Sequence, residues 1–433
     1  MLDWVWSFSE RPRTQDEIAA QRAAKLDRMC ALLQAVGHPE RRFPSMLVAG
    51  TKGKGSTVAM VSACVQAAGL HAGRYTSPHL VNWRERTCID AEPISTEAVI
   101  ALAGPIREAV AQLSPGLGLP TTFEVGTAFA LLHFARRRVD LAVLEVGTGG
   151  RFDATNVVDP LVSVITTISY DHTATLGTTL ESIAWHKAGI LRSGRPAITA
   201  PQPDEARLVI EREAHSVGAH LEQVGREWRW SPLTRGAIRV ESTWVDFGAL
   251  DTEVGLLGDH QRDNATTAVA ALHALGAFRI PPGAVQEGLR TVDWPGRLQV
   301  LSDRPLIVVD GAHNGASAEA IARALQRDFR YQRLILVLGL SEGKDAHGVV
   351  DTLAPYADKI FLTRSKHERA ALPTALQPLV RAAAPGAEIY TRDDASSAFD
   401  AAAAAAGGED LVLITGSLFL VGEALVWWRR SPR

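Results

Sequence analysis

The chain has 433 residues, enough for two large domains and too many for one small module. Hydrophobic residues make up 46% and charged residues 21%, which excludes a disordered or fibrous polymer. With 45 basic and 48 acidic residues the net charge is −3, so no global basic field holds a nucleic acid or an anionic membrane, and any anion must be caught locally. Three cysteines, Cys30, Cys64 and Cys88, form an odd set without C-x-x-C spacing, which argues against a disulfide framework or a thiolate zinc site and fits a reducing cytosol. The opening MLDWVWSFSERPR has no basic segment followed by an apolar run, and no later stretch approaches the ~20 apolar residues of a membrane span. The expectation is a cytoplasmic, unanchored protein.

Apolar stretches of strand length alternate with segments of helical period, the pattern of α/β layers on a mainly parallel sheet. Residues 45–49 (SMLVA) predict a buried strand, 50–56 a glycine turn, and 57–68 the following helix. Further strands are predicted at 141–146, 161–168 and 196–200, with a helix at 179–190. Residues 228–256 change character, being rich in Trp, β-branched and turn residues without helical period, and predict a small β excursion. A helix returns at 260–275, and DWPGR at 293–297 supplies the Pro and Gly of a linker. Beyond it, strands at 306–309, 334–338, 359–362, 388–390 and 411–414 alternate with helices, the alanine run 401–406 being a helix interior. The whole reads as α/β: an N-terminal domain, residues 1–294, carrying a P-loop on a mainly parallel sheet, and a smaller Rossmann-like α/β C-terminal domain, residues 295–433.

Four segments carry chemistry. Gly50-Thr51-Lys52-Gly53-Lys54-Gly55-Ser56 lies between a strand and a helix, where glycines let N–H groups converge on a phosphate and Lys54 adds a full charge. It departs from the strict G-K-[ST] ending, and a glycine turn with two solvated lysines would carry the same letters. Glu145, at the end of an apolar strand and followed by Gly147, Gly149 and Gly150, is a candidate Mg²⁺ ligand at the sheet edge that binds ligands in open parallel sheets. Tyr170-Asp171-His172 follows another apolar strand and sets an imidazole at the same edge, where it is a ligand or a structural histidine. Thr76-Ser77-Pro78-His79 is a turn with hydroxyls.

Taken together, GTKGKGS (50–56), TSPHLVNWRER (76–86), EVGTGGRFDATN (145–156), DHTATLG (171–177), IAWHKAGI (183–190), GDHQRDNA (258–265), PGRLQV (295–300), DGAHN (310–314) and GSLFLVGE (416–423) resemble, in order, the motifs of the folylpolyglutamate synthase and dihydrofolate synthase family, the folate branch of the Mur ligases. The resemblance implies a monomeric ATP-dependent ligase. It would add L-glutamate to a folate, and to dihydropteroate, through an acyl phosphate. Its partners would be these small molecules, with neither nucleic acid nor membrane.

The same resemblance assigns residues. Gly53, Lys54, Gly55 and Ser56 would hold the ATP phosphates, and Ser77, Glu145 and His172 would bind Mg²⁺, with Lys54, His172 and Lys187 as catalytic groups. Lys187 matches a lysine the family carries as a carbamate, giving a ligand for a second Mg²⁺; read alone it could be a surface helix lysine. Asn264, Arg297, Asp310 and His313 would contact ATP, the last three from the linker and the second domain, with the nucleotide between domains and closure a condition of turnover. Leu26, Phe123, Glu124, Phe152, Asp153 and Ala154 would bind the pterin-bearing substrate, Phe123 and Asp153 being equally readable as core and cap residues.

Two departures stand out. Lys52 replaces an Asn and His186 a Glu of many bacterial members, so these motifs look eukaryotic while TTFEVGTA and DATN look bacterial. Both changes leave nucleotide binding expected and substrate range open. Two readings compete with the folate ligase: a Mur ligase acting on another carboxylate such as a UDP-muropeptide, against which TSPHL, DATN and DGAHN weigh, and a P-loop nucleotide switch that makes no bond.

Overall fold

The computed structural model describes residues 4–5, 7–8, 15–278 and 280–430. They divide into two units: Met1–His79, Arg84–Gly255 and Arg262–Val292 form the first, and Leu80–Trp83, Leu256–Gln261 and Asp293–Arg433 the second. The main junction falls in the DWPGR segment, but the second unit also takes two short pieces from the first part of the chain, which a single cut after residue 294 does not anticipate.

The first unit is built on an eight-stranded sheet of β1 (Ser45–Ala49), β2 (Ala72–Tyr75), β3 (Thr87–Ile89), β4 (Glu92–Pro93), β5 (Leu141–Glu145), β6 (Val162–Ile165), β7 (Pro196–Thr199) and β8 (His220–Gln223). The order is β4-β3-β2-β5-β1-β6-β7-β8. The β2, β5, β1, β6, β7 and β8 strands run parallel, and β3 and β4 form an antiparallel edge. Every residue of β1, β5 and β6 is buried, as expected of continuous apolar strands covered by helices on both faces. The sequence missed β2 and β8 because AGRY and HLEQ carry no apolar run. The predicted β excursion is an antiparallel three-stranded sheet of β9 (Trp228–Pro232), β10 (Ala237–Ser242) and β11 (Ala249–Glu253), in the order β11-β10-β9.

Two predicted boundaries move for a physical reason. The helix after β1 is Lys54–Ala67, starting three residues earlier than periodicity suggested, because Gly53 at φ 85° caps it in a conformation only glycine adopts freely. Lys54, Gly55 and Ser56 therefore occupy the first helical turn, whose N–H groups have no carbonyl one turn back. The strand at β6 stops at Ile165, because the Thr167 carbonyl accepts the Thr51 and Lys52 N–H groups at 3.0 and 3.1 Å and so leaves the ladder.

The second unit contains a six-stranded sheet of β12 (Gln299–Asp303), β13 (Leu306–Asp310), β14 (Leu334–Leu338), β15 (Lys359–Leu362), β16 (Glu388–Thr391) and β17 (Leu411–Thr415), ordered β12-β13-β17-β14-β15-β16. Only β12, which the sequence did not predict, is antiparallel. Strand alternation separates two cores: Val308, Leu336, Leu338, Ile360 and Leu413 face one layer of helices, and Val309, Ile335, Val337, Phe361 and Ile414 the other. Residues 401–405 of the alanine run form the C-terminal part of the Ala395–Ala405 helix and Ala406 lies just past its end in extended backbone, so the run closes the helix instead of filling its interior.

Candidate active site

Strand order brings four of the predicted segments to one edge. The segments with Ser77, Glu145, the glycine loop and His172 leave the C-terminal ends of β2, β5, β1 and β6, which are consecutive in the sheet. This is where open parallel sheets bind ligands. The loop is fixed from beneath: Thr51 Oγ1 donates to the Ser169 carbonyl at 3.1 Å, and Lys52 Nζ lies 3.5 Å from Asp171 Oδ2. Gly50 has φ 148°, and a Cβ there would stand 1.8 Å from Thr166 Oγ1, so no side chain fits.

At the mouth of the loop Lys54 Nζ lies 3.9 Å from Glu145 Oε1 and 3.4 Å from the Thr51 carbonyl. The Ser77 N–H donates to Glu145 Oε2 at 3.0 Å. Glu145 is buried, and a buried carboxylate this close to a lysine presents hard oxygen ligands where phosphate oxygens would arrive. Thr57 Oγ1, in the same helical turn, is buried without a hydrogen-bond partner among the described residues. It is a polar atom that the fold leaves for something else to satisfy. Asn264 comes to the loop from the Asp259–His273 helix: a Cβ on Gly53 would meet its Oδ1 at 2.3 Å.

Lys187 is buried in the Leu180–Ala188 helix, its Nζ donating to the Gly50 carbonyl at 2.6 Å. The second glycine segment makes this approach possible. A Cβ on Gly150 would sit 2.8 and 2.9 Å from the His186 and Lys187 carbonyls, and the Arg151 N–H donates to the His186 carbonyl at 2.7 Å. Burial, reinforced by the Lys54 charge, holds the Lys187 ammonium well below the usual lysine range. His172 is exposed, in the left-handed region at φ 51°, immediately before the Thr173–Leu176 helix. His186 packs its ring on Phe152 and Trp185, with centroids 6.0 and 5.0 Å away. The residue that departs from the bacterial pattern is thus part of an aromatic cluster.

The six acceptor-site candidates separate into two groups. Phe123 is partly exposed and lies beside Tyr75, ring centroids 5.8 Å apart; Gly147 is required opposite it, since a Cβ there would touch Phe123 Cζ at 2.6 Å. Leu26 and Phe152 are also partly exposed. Glu124 differs from the sequence reading. It is fully buried, with Arg28 Nε and Nη2 donating to its two oxygens at 2.8 and 3.0 Å and the Thr121 N–H donating to Oε2 at 2.8 Å in a capping box. Its carboxylate is committed inside the fold rather than offered to a ligand. Asp153 is likewise buried, accepting from the Thr148 N–H, the Thr155 N–H and the Thr155 hydroxyl at 3.1, 3.1 and 2.7 Å, so its first task is to cap the 3₁₀ turn that holds buried Ala154. Lys25, Arg28 and Thr57 escaped the sequence reading, and Asp171 entered it without a role. For Lys25 and Arg28 the usable signal was charge inside a helical segment; Thr57 offered none.

In the second unit Arg297, Asp310 and His313 surround Gly311. Asp310 accepts from the Leu298 and Ala312 N–H groups at 2.9 and 2.8 Å, His313 Nδ1 lies 2.9 Å from the Gly311 carbonyl, and a Cβ on Gly311 would come within 2.9 Å of Arg297 Nη1. Burial raises the Asp310 carboxyl above the usual range, against the pull of Arg297.

A P-loop at the edge of a parallel sheet, faced by a carboxylate and a buried lysine, defines a nucleotide-dependent group-transfer enzyme. The Mur ligase middle domain matches residues 48–272 and the Mur ligase glutamate ligase domain residues 296–418. The dihydrofolate synthase/folylpolyglutamate synthase of Bacillus subtilis is 34% identical over 92% of this chain and 93% of its own length. A probable bifunctional folylpolyglutamate synthase/dihydropteroate synthase of Halobacterium salinarum is 37% identical, and the chain spans 49% of its length. An Escherichia coli FolC structure in complex with DHPP and ADP superposes with TM-score 0.85 at 31% identity, covering 99% of this chain and 97% of that one. A bifunctional folylpolyglutamate synthase/dihydrofolate synthase structure with Mn, AMPPNP and L-glutamate bound gives TM-score 0.82 at 30% identity, with 93% of each chain covered. The chain belongs to the folylpolyglutamate synthase/dihydrofolate synthase family of Mur ligases, and it is an ATP-dependent ligase. Among the described residues no helix is long and apolar enough to cross a membrane.

Proposed function

We propose that this enzyme joins L-glutamate to the terminal carboxylate of a reduced folate and to dihydropteroate, using ATP and a divalent cation. The carrying observation is the convergence of Lys54, Glu145, Ser77 and Lys187 on the loop after β1, at the ends of adjacent strands. The acceptor carboxylate attacks the γ-phosphorus, ADP leaves, and the resulting acyl phosphate is attacked by the glutamate amine. The tetrahedral adduct then expels phosphate and the amine proton passes to solvent. Reactants and γ-phosphate are all negative, so the step needs positive charge and alignment more than a nucleophilic side chain.

Gly53, Lys54, Gly55 and Ser56 hold the phosphates in this reading, the helix N-terminus and the Lys54 ammonium opposing their charge. Asn264 contacts the nucleotide beside Gly53; within the second unit Arg297, Asp310 and His313 gather around Gly311. Glu145, Ser77 and His172 are the ligands for Mg²⁺. Among the described residues no three His, Cys, Asp or Glu side chains gather as a metal cluster. A sparse oxygen set suits a cation that takes its remaining ligands from phosphates and water. Held there, a divalent cation would supply positive charge against the phosphates.

Lys187 supports a second metal position as a carbamate: burial favours its neutral amine, and the amine form can attack the carbon of CO₂, forming an N–C bond and releasing a proton, to give an oxygen anion. Phe123, Leu26 and Phe152 receive the heteroaromatic ring, while Glu124 and Asp153 shape the walls. The enzyme works as a monomer on small molecules; a charge of −3 recommends no nucleic acid.

The test is mass-resolved ligation with MgATP and L-glutamate, with dihydropteroate in one reaction and tetrahydrofolate in another. One glutamyl residue gained in both is expected. A gain with tetrahydrofolate alone would restrict the enzyme to tail extension, and no gain in either would reject the acceptor class.

A further inference from the structure

Lys25 stands where the proposed acceptor ring would bind, and neither the motifs nor the comparisons assign it a role. It lies on the Gln15–Ala35 helix one turn before Arg28, on the same face. The buried Arg28 side chain also donates to the Leu117 carbonyl at 2.7 Å, so the pair with Glu124 fixes both the rotation and the height of this helix against the Thr122–Arg137 helix. Phe123 precedes Glu124, and the same lock therefore sets Lys25 over Phe123, with Nζ 5.7 Å from the ring centroid. Nζ also lies 3.9 Å from Asp153 Oδ2, and the Lys25 side chain keeps 23% of its exposure.

The Asp153 carboxylate alone does not explain this placement. It already accepts three hydrogen bonds from its own turn. At 3.9 Å the lysine pairs with its charge without using an ammonium N–H as a hydrogen-bond donor. A long, flexible side chain is thus held at a partly exposed position, its charge balanced by a buried carboxylate, with its donors beside the Phe123 ring. That combination fits a flat ring bearing an acceptor at its edge.

We propose that Lys25 is a substrate-binding residue that donates to the ring carbonyl oxygen of the acceptor's oxo-heteroaromatic head group while that ring lies against Phe123. This rests on the acceptor reading above. The ammonium makes the site favour an oxo-substituted ring over the same ring without the oxygen, and it acts on acceptor binding rather than on phosphoryl transfer.

The test is equilibrium binding of dihydropteroate to the ADP-loaded full chain, alongside steady-state kinetics, for wild type, Lys25→Met and Lys25→Arg. Losing one charged hydrogen bond should weaken dihydropteroate binding and raise the acceptor KM about tenfold in Lys25→Met. Lys25→Arg, which keeps a donor, should recover most of it, with KM for ATP and glutamate, saturating kcat and Tm unchanged. Wild-type affinity in Lys25→Met would overturn the assignment. So would a loss shared with ADP affinity and Tm, which would make Lys25 a support for the Asp153 turn. If Lys25→Met does not fold, Lys25→Leu is read the same way. A wild-type chain that neither binds nor extends dihydropteroate overturns the acceptor reading itself, and the Lys25 assignment with it.

Discussion

Glu124→Ala should unfold this protein far more readily than its place among the predicted substrate-binding residues would suggest. Glu124 has no exposed surface and Arg28 is 1% exposed, and two hydrogen bonds of 2.8 and 3.0 Å join them side-on. Removing the carboxylate leaves a guanidinium buried with the Leu117 carbonyl as its remaining partner among the described residues, a change that costs about 3–5 kcal/mol. The variant also loses half of the Thr121/Glu124 capping box, worth about 1 kcal/mol. Urea unfolding of wild type, Glu124→Ala, Arg28→Met and the double variant Arg28→Met/Glu124→Leu separates these contributions. Each single variant should lose several kcal/mol. The double variant should regain most of it, because an apolar pair of similar volume carries no desolvation cost. A Glu124→Ala protein within about 1 kcal/mol of wild type, with acceptor KM raised, would refute the argument and return Glu124 to the substrate.

Lys54→Ala should lower kcat by about 100- to 1,000-fold with Tm unchanged, measured as phosphate release; near-normal turnover would remove the loop from the phosphates. Glu145→Gln should shift the Mg²⁺ activation curve to higher concentration, and an unchanged titration would move the metal elsewhere. Gly50→Ala should abolish nucleotide binding by calorimetry, because its Cβ would overlap Thr166 Oγ1 at 1.8 Å. In the second unit, hydrogen bonds from Arg333 hold the Asp410 carboxyl below its usual range. Its stabilisation is therefore present above the ordinary carboxylate value, about 3.9, and is lost as pH falls toward the folded value. The Tm gap between wild type and Asp410→Asn should narrow between about pH 6 and pH 3; a gap that stays constant would contradict the linkage.

What was legible in the sequence follows the strength of each local signal. The strand SMLVA was read to the residue because an unbroken apolar run before glycines has few other structures. AGRY was not read as a strand, yet as β2 it delivers Ser77 to the edge beside Glu145, a placement fixed by the neighbouring strands rather than by its own letters. Lys54 was read as part of a turn because periodicity cannot see a left-handed cap; the φ of Gly53 decides where the helix begins and so where the cation points.

Glu124 and Asp153 mark a deeper limit. Both are acidic residues inside motifs, which is also what a ligand-binding carboxylate looks like in a sequence. Only the positions of Arg28, 96 residues earlier, and of the Thr148 and Thr155 donors show that these carboxylates are committed to the protein. Motif membership does not distinguish a residue that touches substrate from one that fixes the backbone beside it, because both must be held in place for the same chemistry. Hydrogen-bond saturation does distinguish them. A buried carboxylate whose oxygens already accept two or three donors has little to gain from a ligand, whereas a partly exposed ammonium whose charge is balanced from behind can still donate. By that criterion Glu124 and Asp153 are committed to the fold, while Lys25 keeps donors to offer.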